Sequence, residues 1–302
     1  MTRLVKKVID RITYPLGFEI KRVALNQNKT VKLPPIFDDP LEALPYAQRQ
    51  KRVAFECPIN LTIKPNFLTY GSNGFHPFVE TLVEYGKGKA DCYEDSVLKV
   101  FYDNHQPKNA FEAMLGFDNC PDQYKDYPSY LYRLTPWEVK TPAKVMKIVR
   151  NFTREHNLDN NKKNMTLETD GYQYHGPVSM EKGQLEFERL TRIYKRLKKN
   201  GYDRKMGHAN FLVLKRGKDV RFLSHGPGNH RTAAMSALGY ETIPGIFYEP
   251  SIIDIQMIEY WPQVKNGLWS IKQATDYFDH VFEFDSRKWA INKGFLINNR
   301  RD

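Results

Sequence analysis

The sequence predicts an α+β protein: a helical, loop-rich N-terminal region over residues 1–165, then a domain of mixed helices and strands over residues 166–302. Three observations predict it. QLEFERLTRIYKRLKKNG (184–201) places Phe187, Leu190, Tyr194 and Leu197 at helical spacing and stops on Gly201. Two apolar runs, 211–214 and 220–223, flank a Lys-Arg-Gly-Lys-Asp turn and read as a hairpin. Between the two regions, DNNKKNMT (159–166) is polar without an apolar period, which marks a linker.

From the N-terminus, residues 3–14 are expected to form a short basic amphipathic helix, with Leu4, Val8 and Ile12 on one face and Pro15 opposing continuation. Such a helix can rest on an anionic membrane face or dock on its own protein. Residues 24–68, with six prolines from Pro34 to Pro65, read as an irregular connecting segment. A helix is expected near 93–103, a second over 110–115 capped by Asn109, and a third over 141–157 with Thr141 as N-cap. YQYHGPVS (172–179) reads as a strand ending in a turn. After the hairpin come a glycine loop, a small-residue helix at 230–238 and the strand TIPGIFY. SIIDIQMIEYW and SIKQATDYFDHVF read as two closing helices with Ser251 and Ser270 as caps.

The chain has 302 residues, 41% of them hydrophobic and 13% aromatic, which suffices for a packed core and excludes broad disorder. Cys57, Cys92 and Cys120 are widely spaced, so neither a disulfide framework nor a structural zinc is expected. With no long apolar run and no apolar leader, the expectation is a cytoplasmic protein, able to sit peripherally at the inner membrane face through residues 3–14. The net charge is +11, and residues 189–218 hold eleven basic side chains against Asp203, a local +10. That concentration predicts an anionic partner: a nucleotide, a nucleic acid, a phosphorylated glycan or an acidic lipid surface.

The stretch SHGPGNHRTAAMSALGYETIP (224–244) is a strand–glycine loop–helix joint. Such a joint offers unpaired backbone N–H groups and the positive end of a helix dipole. Gly226 and Gly228 permit close approach, Arg231 can fork onto phosphate oxygens, His230 can donate or accept a proton, and Asn229 and Thr232 add short polar groups. The residue types suit a phosphate.

Gly228-Asn229-His230-Arg231, Ala234, Leu238-Gly239 and Ile243-Pro244 together resemble the ParB/sulfiredoxin superfamily over roughly 172–250, about a quarter of the chain. The resemblance implies a nucleotide-binding domain whose His-Arg turn holds phosphates. Sulfiredoxin carries its catalytic cysteine where this chain has Asn229, which removes that chemistry. About 50 residues follow the domain, without a recognition helix, which argues against DNA partition. The small-molecule kinase of the superfamily remains, implying ATP, ADP or CTP with Mg2+ and phosphoryl transfer to a small polar acceptor. The N-terminal half is similar to halves found beside ParB-like domains in surface-polysaccharide gene neighbourhoods, so a sugar or glycan intermediate is the expected acceptor. The alternative is a nucleotide- or nucleic-acid-binding module without turnover. A nuclease is weaker, because no acidic metal cluster with recognisable spacing is visible.

Phosphoryl transfer needs a carboxylate to take the acceptor's proton. Glu181 is the candidate because it follows the 172–179 turn; Glu186 and Glu188 are alternatives, and all three also suit a helix's first turn. His175 and Ser179 border that turn as substrate candidates. Glu94 and Asp95, in the polar-aromatic stretch YEDSVLKVFYDNHQP, are candidates for holding a polyol.

Overall fold

Strands β1 (Ile36–Phe37), β2 (Ala54–Pro58), β3 (Thr62–Ile63), β4 (Ala209–Arg216), β5 (Asp219–Ser224) and β6 (Thr242–Asp254) form one mixed sheet in the order β1-β2-β6-β4-β5-β3. The computed structural model describes residues 36–47, 53–160 and 162–296. The longer helices among them are α1 (Pro77–Gly86), α2 (Val97–Asn104), α3 (Pro142–Leu158), α4 (Met180–Asn200), α5 (Asn229–Ala237), α6 (Ile271–Glu283) and α7 (Ser286–Asn292). The expected mixed α+β class is what the chain adopts. No described helix is long and apolar enough to cross a membrane.

The expected boundary at 165 does not separate two folding units. β2 pairs antiparallel with β6 over Ala54–Pro58, and β3 pairs parallel with β5 through Thr62↔Phe222. The N-terminal half therefore supplies strands at both sides of a sheet whose centre is C-terminal, and Pro34–Asp302 forms one unit. The segment expected to be irregular thus contains three strands. They are two to five residues long and lie among prolines, so they carry almost no period of their own. The expected helix 3–14 lies outside the described residues.

Local signals succeed where one element satisfies itself. Thr141 caps α3, Ser270 caps α6 in a capping box with Gln273, and α4 stops at Gly201. They fail where tertiary pairing decides. SIIDIQMIEYW is not a helix: β6 runs on to Asp254 because β4 pairs with it through Val213↔Ile252 and Leu214↔Ile253, and a 3-10 turn follows at Ile255–Tyr260. YQYHGPVS makes a buried turn joined by a single Gly171↔Val178 bridge. Residues 110–115 form turns, in which Asn109 Oδ1 accepts from the Glu112 N–H at 2.9 Å.

Aromatic side chains fill the core. Phe55 on β2 stacks on Phe247 of β6 at 4.2 Å and approaches Phe211 and Phe222 at 6.3 and 6.2 Å, so one ring joins four strands. β6 bulges against β4: Phe211 faces Phe247 and Val213 faces Ile252, which places residues 248–251 opposite Leu212 alone. On α4, Phe187, Leu190, Tyr194 and Leu197 are buried as the period requires, and so are Lys182, Gly183 and Glu186. Gly183 lets Tyr93 lie against the helix, since a Cβ there would sit 2.0 Å from the ring.

Two outcomes follow. Residues 166–302 expressed alone lack β2, β3 and the helices that cover the sheet, and should show no cooperative urea transition by circular dichroism; a cooperative one would restore the two-domain reading. Gly183→Ala should destabilise by about 1–3 kcal/mol, although an exposed helical glycine gains about 1 kcal/mol from the same change. A thermal shift upward would show that Tyr93 does not constrain this position.

Candidate functional site

Strand β5 delivers the chain into the loop 225–228, and α5 carries it away. Gly228 is the α5 N-cap with φ of 113°, and no side chain caps the first turn. An added Cβ would lie 2.7 Å from Ala209 Cα, so only glycine lets the loop pass this close to β4. Gly226 is also left-handed, at φ 73°.

The three residues after Gly228 point to different places. Asn229 turns into the core. Its Oδ1 accepts from Lys64 Nζ at 3.0 Å, Tyr70 Oη at 3.1 Å and Ser224 Oγ at 2.7 Å, and its Nδ2 donates to Gly226 O at 3.1 Å and to Tyr174 Oη. His230 turns toward α4, where its Nε2 donates to Glu186 Oε2 at 2.8 Å, while Phe78 of α1 stacks on the ring at 5.0 Å. Arg231 lies against the segment after α4, donating to Gly207 O with its guanidinium 5.8 Å from the Tyr202 ring centroid. Thr232 Oγ1 donates back to Gly228 O at 3.1 Å and is buried.

Glu186 is fully buried at the centre of a polar cluster. Lys182, one turn earlier, brings Nζ to 3.1 Å from Oε1; His156 Nε2 of α3 lies 3.5 Å from the same oxygen, and Arg189 NH1 lies 4.0 Å from Oε2. Lys182 Nζ also donates to Asn157 Oδ1 at 2.8 Å. Burial pushes the Glu186 carboxyl up, but the hydrogen bond from His230 and the neighbouring His156 and Lys182 outweigh it and hold it well below the usual range. Burial lowers His230 despite that bond, and lowers His156 to about 3. Glu186 is therefore ionised between two neutral imidazoles.

His156, Glu186 and His230 bring ligand-type atoms within 4.8 Å of one another. The group does not suit Mg2+. The Lys182 ammonium already stands at the carboxylate and 3.3 Å from His156 Nδ1, and Mg2+ takes oxygen ligands rather than two imidazoles.

A cavity of about 220 Å3 opens at the α5 N-terminus. Gly228, His230 and Arg231 form one wall, Arg189 and Arg196 of α4 the other, and Tyr202 lies beside them with Asp203, whose carboxylate accepts from Lys205 N at 2.9 Å. The His230 side chain keeps 11% of its surface exposed, so the ring that leans on Glu186 also faces this space. Three guanidinium groups around an uncapped helix N-terminus favour an anion the size of a phosphate group.

The structure rearranges the expected carboxylates. Glu181, the expected base, is exposed and pairs with Lys162 at 2.6 Å; the carboxylate that meets His230 is Glu186. The cause is helical phase: Glu186 shares the buried face of α4 with Lys182, whereas Glu181 lies in the first turn on the outer side. Glu188 is exposed and accepts from Gln184 at 2.9 Å. Ser179 is the N-cap of α4, accepting from Lys182 N at 3.1 Å and donating to Asp170 at 2.8 Å, so its hydroxyl is committed to structure. Glu94 and Asp95 sit exposed on the loop before α2, away from the residues that line this cavity. The sequence reading placed Arg189 and Arg196 in the basic run that predicts an anionic partner, and missed His156, Lys182 and Tyr202. The Lys182–Glu186 spacing of four was the one local signal; His156 meets them by tertiary folding alone.

His175 is buried with its Nδ1 donating to Gly176 O at 2.8 Å and its Nε2 without a partner. Burial lowers it to about 4, and His105 of the same region to about 3. Both are neutral in the fold and take up protons on unfolding, so their contribution is whole above pH 6.5 and is lost as pH falls toward those values. Each should add about 1.4 kcal/mol per pH unit to the acid side of the stability profile. His175→Asn, whose amide can replace the Nδ1 donor, should flatten the fall in urea midpoint between pH 6.5 and 4.5 by about one proton; an unchanged slope would show that His175 is protonated in the fold.

No family model, curated protein or solved structure matches the chain.

Proposed function

We propose that the chain is a nucleotide-dependent phosphotransferase of the ParB/sulfiredoxin-like type, acting in the cytoplasm on a small polar acceptor such as a sugar or glycan intermediate. One observation carries the reading: His230 lines an arginine-walled cavity at the α5 N-terminus while a buried carboxylate holds it from behind. The order α4, β4–β5 hairpin, glycine loop, α5, β6 agrees with the motif order that suggests the superfamily.

In this reading Arg189, Arg196, Arg231 and the first N–H groups of α5 hold the nucleotide's terminal phosphates. With Nε2–H given to Glu186, the neutral ring of His230 has its lone pair on Nδ1 and can take the acceptor's proton. Glu186 then stabilises the imidazolium. Lys182 keeps the carboxylate ionised for that role and restricts its rotation. A bound nucleotide would bring Mg2+ on its own phosphate oxygens.

Incubation with ATP, ADP or CTP, Mg2+ and candidate sugars should give phosphate transfer. Arg231→Ala should weaken nucleotide binding about 10- to 100-fold, the worth of a charge-assisted hydrogen bond; intact binding would show that the cradle is elsewhere. His230→Gln should lower turnover about 100-fold or more while nucleotide still binds. Equal turnover would remove His230 as the base, and a Glu181→Gln variant should behave as wild type.

The exposed Lys195, Lys198 and Lys199 on α4 favour a second reading, a binding module for nucleic acid without turnover. Retention on duplex DNA whose log affinity falls steeply with log salt, at a slope of about −0.9 per phosphate, together with no phosphate transfer, would select it.

A further inference from the structure

The loop 225–228 has a second cavity on its other side, about 960 Å3 and separate in its lining from the first. One wall is apolar: Val145, Ile148 and Val149 from α3 face Leu212 of β4 and Phe247 of β6. At one corner stands His225, stacked on Tyr248 of the β6 bulge at 4.0 Å. The bulge is what swings Tyr248 over the loop.

Two carboxylates, Glu138 and Glu249, also line the cavity, and neither is paired with the arginine there. Arg133 lines the cavity and donates to Tyr172 Oη at 2.9 Å, and among the described residues it has no carboxylate within ion-pair distance. Lys64 is 3% exposed and its Nζ donates to Asn229 and Ser224, both neutral; burial and then Arg133 push it well below the usual lysine range. Lys140 is matched by Glu138 at 2.7 Å. His225 Nδ1 is buried without a hydrogen-bond partner. Burial, then Arg133, Lys64 and Lys140, push His225 down to about 3, so the ring is neutral and its surroundings are positive. A guanidinium enclosed without a counter-charge is costly, and an anion in the cavity would relieve that cost.

We propose that this cavity binds a small amphiphilic organic anion, with its carboxylate or phosphate head on Arg133 and its apolar body along Val145, Ile148 and Leu212. The volume matches sites that enclose drug-sized molecules, and the walls divide as such a ligand divides: one cationic corner, one aliphatic face. The inference is independent of the phosphate cradle and stands whether or not a nucleotide binds there.

Isothermal titration calorimetry of the full chain with octanoate, octyl phosphate and 1-octanol tests it. At least one anion should bind about 10-fold or more tighter than octanol, as a charge-assisted contact requires, and which one does identifies the head group. Arg133→Gln should bring that anion to within about twofold of octanol. Ile148→Trp, at a rim position that is 38% exposed and tolerant of change, should weaken all three ligands by filling the mouth. Arg231→Ala, which tests the nucleotide reading, should leave these titrations unchanged. Failure of both anions to bind, octanol equal to both, or anion binding unaffected by Ile148→Trp would each overturn the proposal. If Arg133→Gln does not fold, the octanol comparison and Ile148→Trp decide it.

Discussion

A single buried carboxylate ties the helical side of the protein together. Removing Glu186 from water costs several kcal/mol, and the fold can bear it only if cations and donors meet it. Lys182 at 3.1 Å and His230 at 2.8 Å do so, and His156 closes the group from α3. Three helices, α3, α4 and α5, are thereby held at fixed mutual positions by contacts that have little latitude in distance. The packing around the cluster obeys the same constraint: Gly183 clears space for Tyr93, and Phe78 covers the His230 ring. The cluster sets where His230 can stand, and so sets one wall of the arginine-lined cavity.

Asn229 does the complementary work on the sheet side. Five hydrogen bonds run from its amide to β5, to the loop and to the buried tyrosines Tyr70 and Tyr174. One of the five gives Lys64 Nζ, which lacks a carboxylate, a strong acceptor. Adjacent residues of one loop are thus fastened to opposite networks, Asn229 to the sheet and His230 to α4. A loop held from both sides can keep its backbone N–H groups and its glycine angles in place without a ligand, which is the preorganisation that an anion site requires.

The contrast between Glu181 and Glu186 shows how far the residues could be read without coordinates. The helix containing both was legible from Phe187, Leu190, Tyr194 and Leu197, and its phase was therefore available. On that phase Glu186 falls with the apolar residues and Glu181 does not. A carboxylate on a buried helical face with a lysine four residues earlier is a stronger signal than position in a first turn, which suits any acid. The loop itself was legible because glycine, histidine and arginine at fixed offsets carry backbone and charge information locally. The partners of that loop were not. His156 is 30 residues before Glu186, and it arrives there by a tertiary contact that no local pattern carries. The short strands were hidden for the same reason: β2 and β3 pair with residues 160 or more positions away, β1 pairs with β2, and their own sequence is broken by proline.

The placement of the basic residues bears on which kind of anion the fold suits. Residues 189–218 hold a local charge of +10, yet much of it is already engaged. Arg216 pairs with Asp279 and Glu283, Lys215 with Asp254, and Arg192 donates to Asn160. Lys195 and Lys198 lie over the rings of Tyr85 and Tyr194 at 5.4 and 6.0 Å. Arg189, which also reaches Glu186 at 4.0 Å, and Arg196 turn to the same cavity as Arg231 from the helix opposite. A polymer of phosphates needs cations spaced along a surface to collect its counterion gain. Three guanidinium groups converging on one small space favour a single compact phosphate cluster. The distribution therefore supports a nucleotide's terminal phosphates over a nucleic-acid backbone, with the exposed lysines of α4 left to steer either toward the protein.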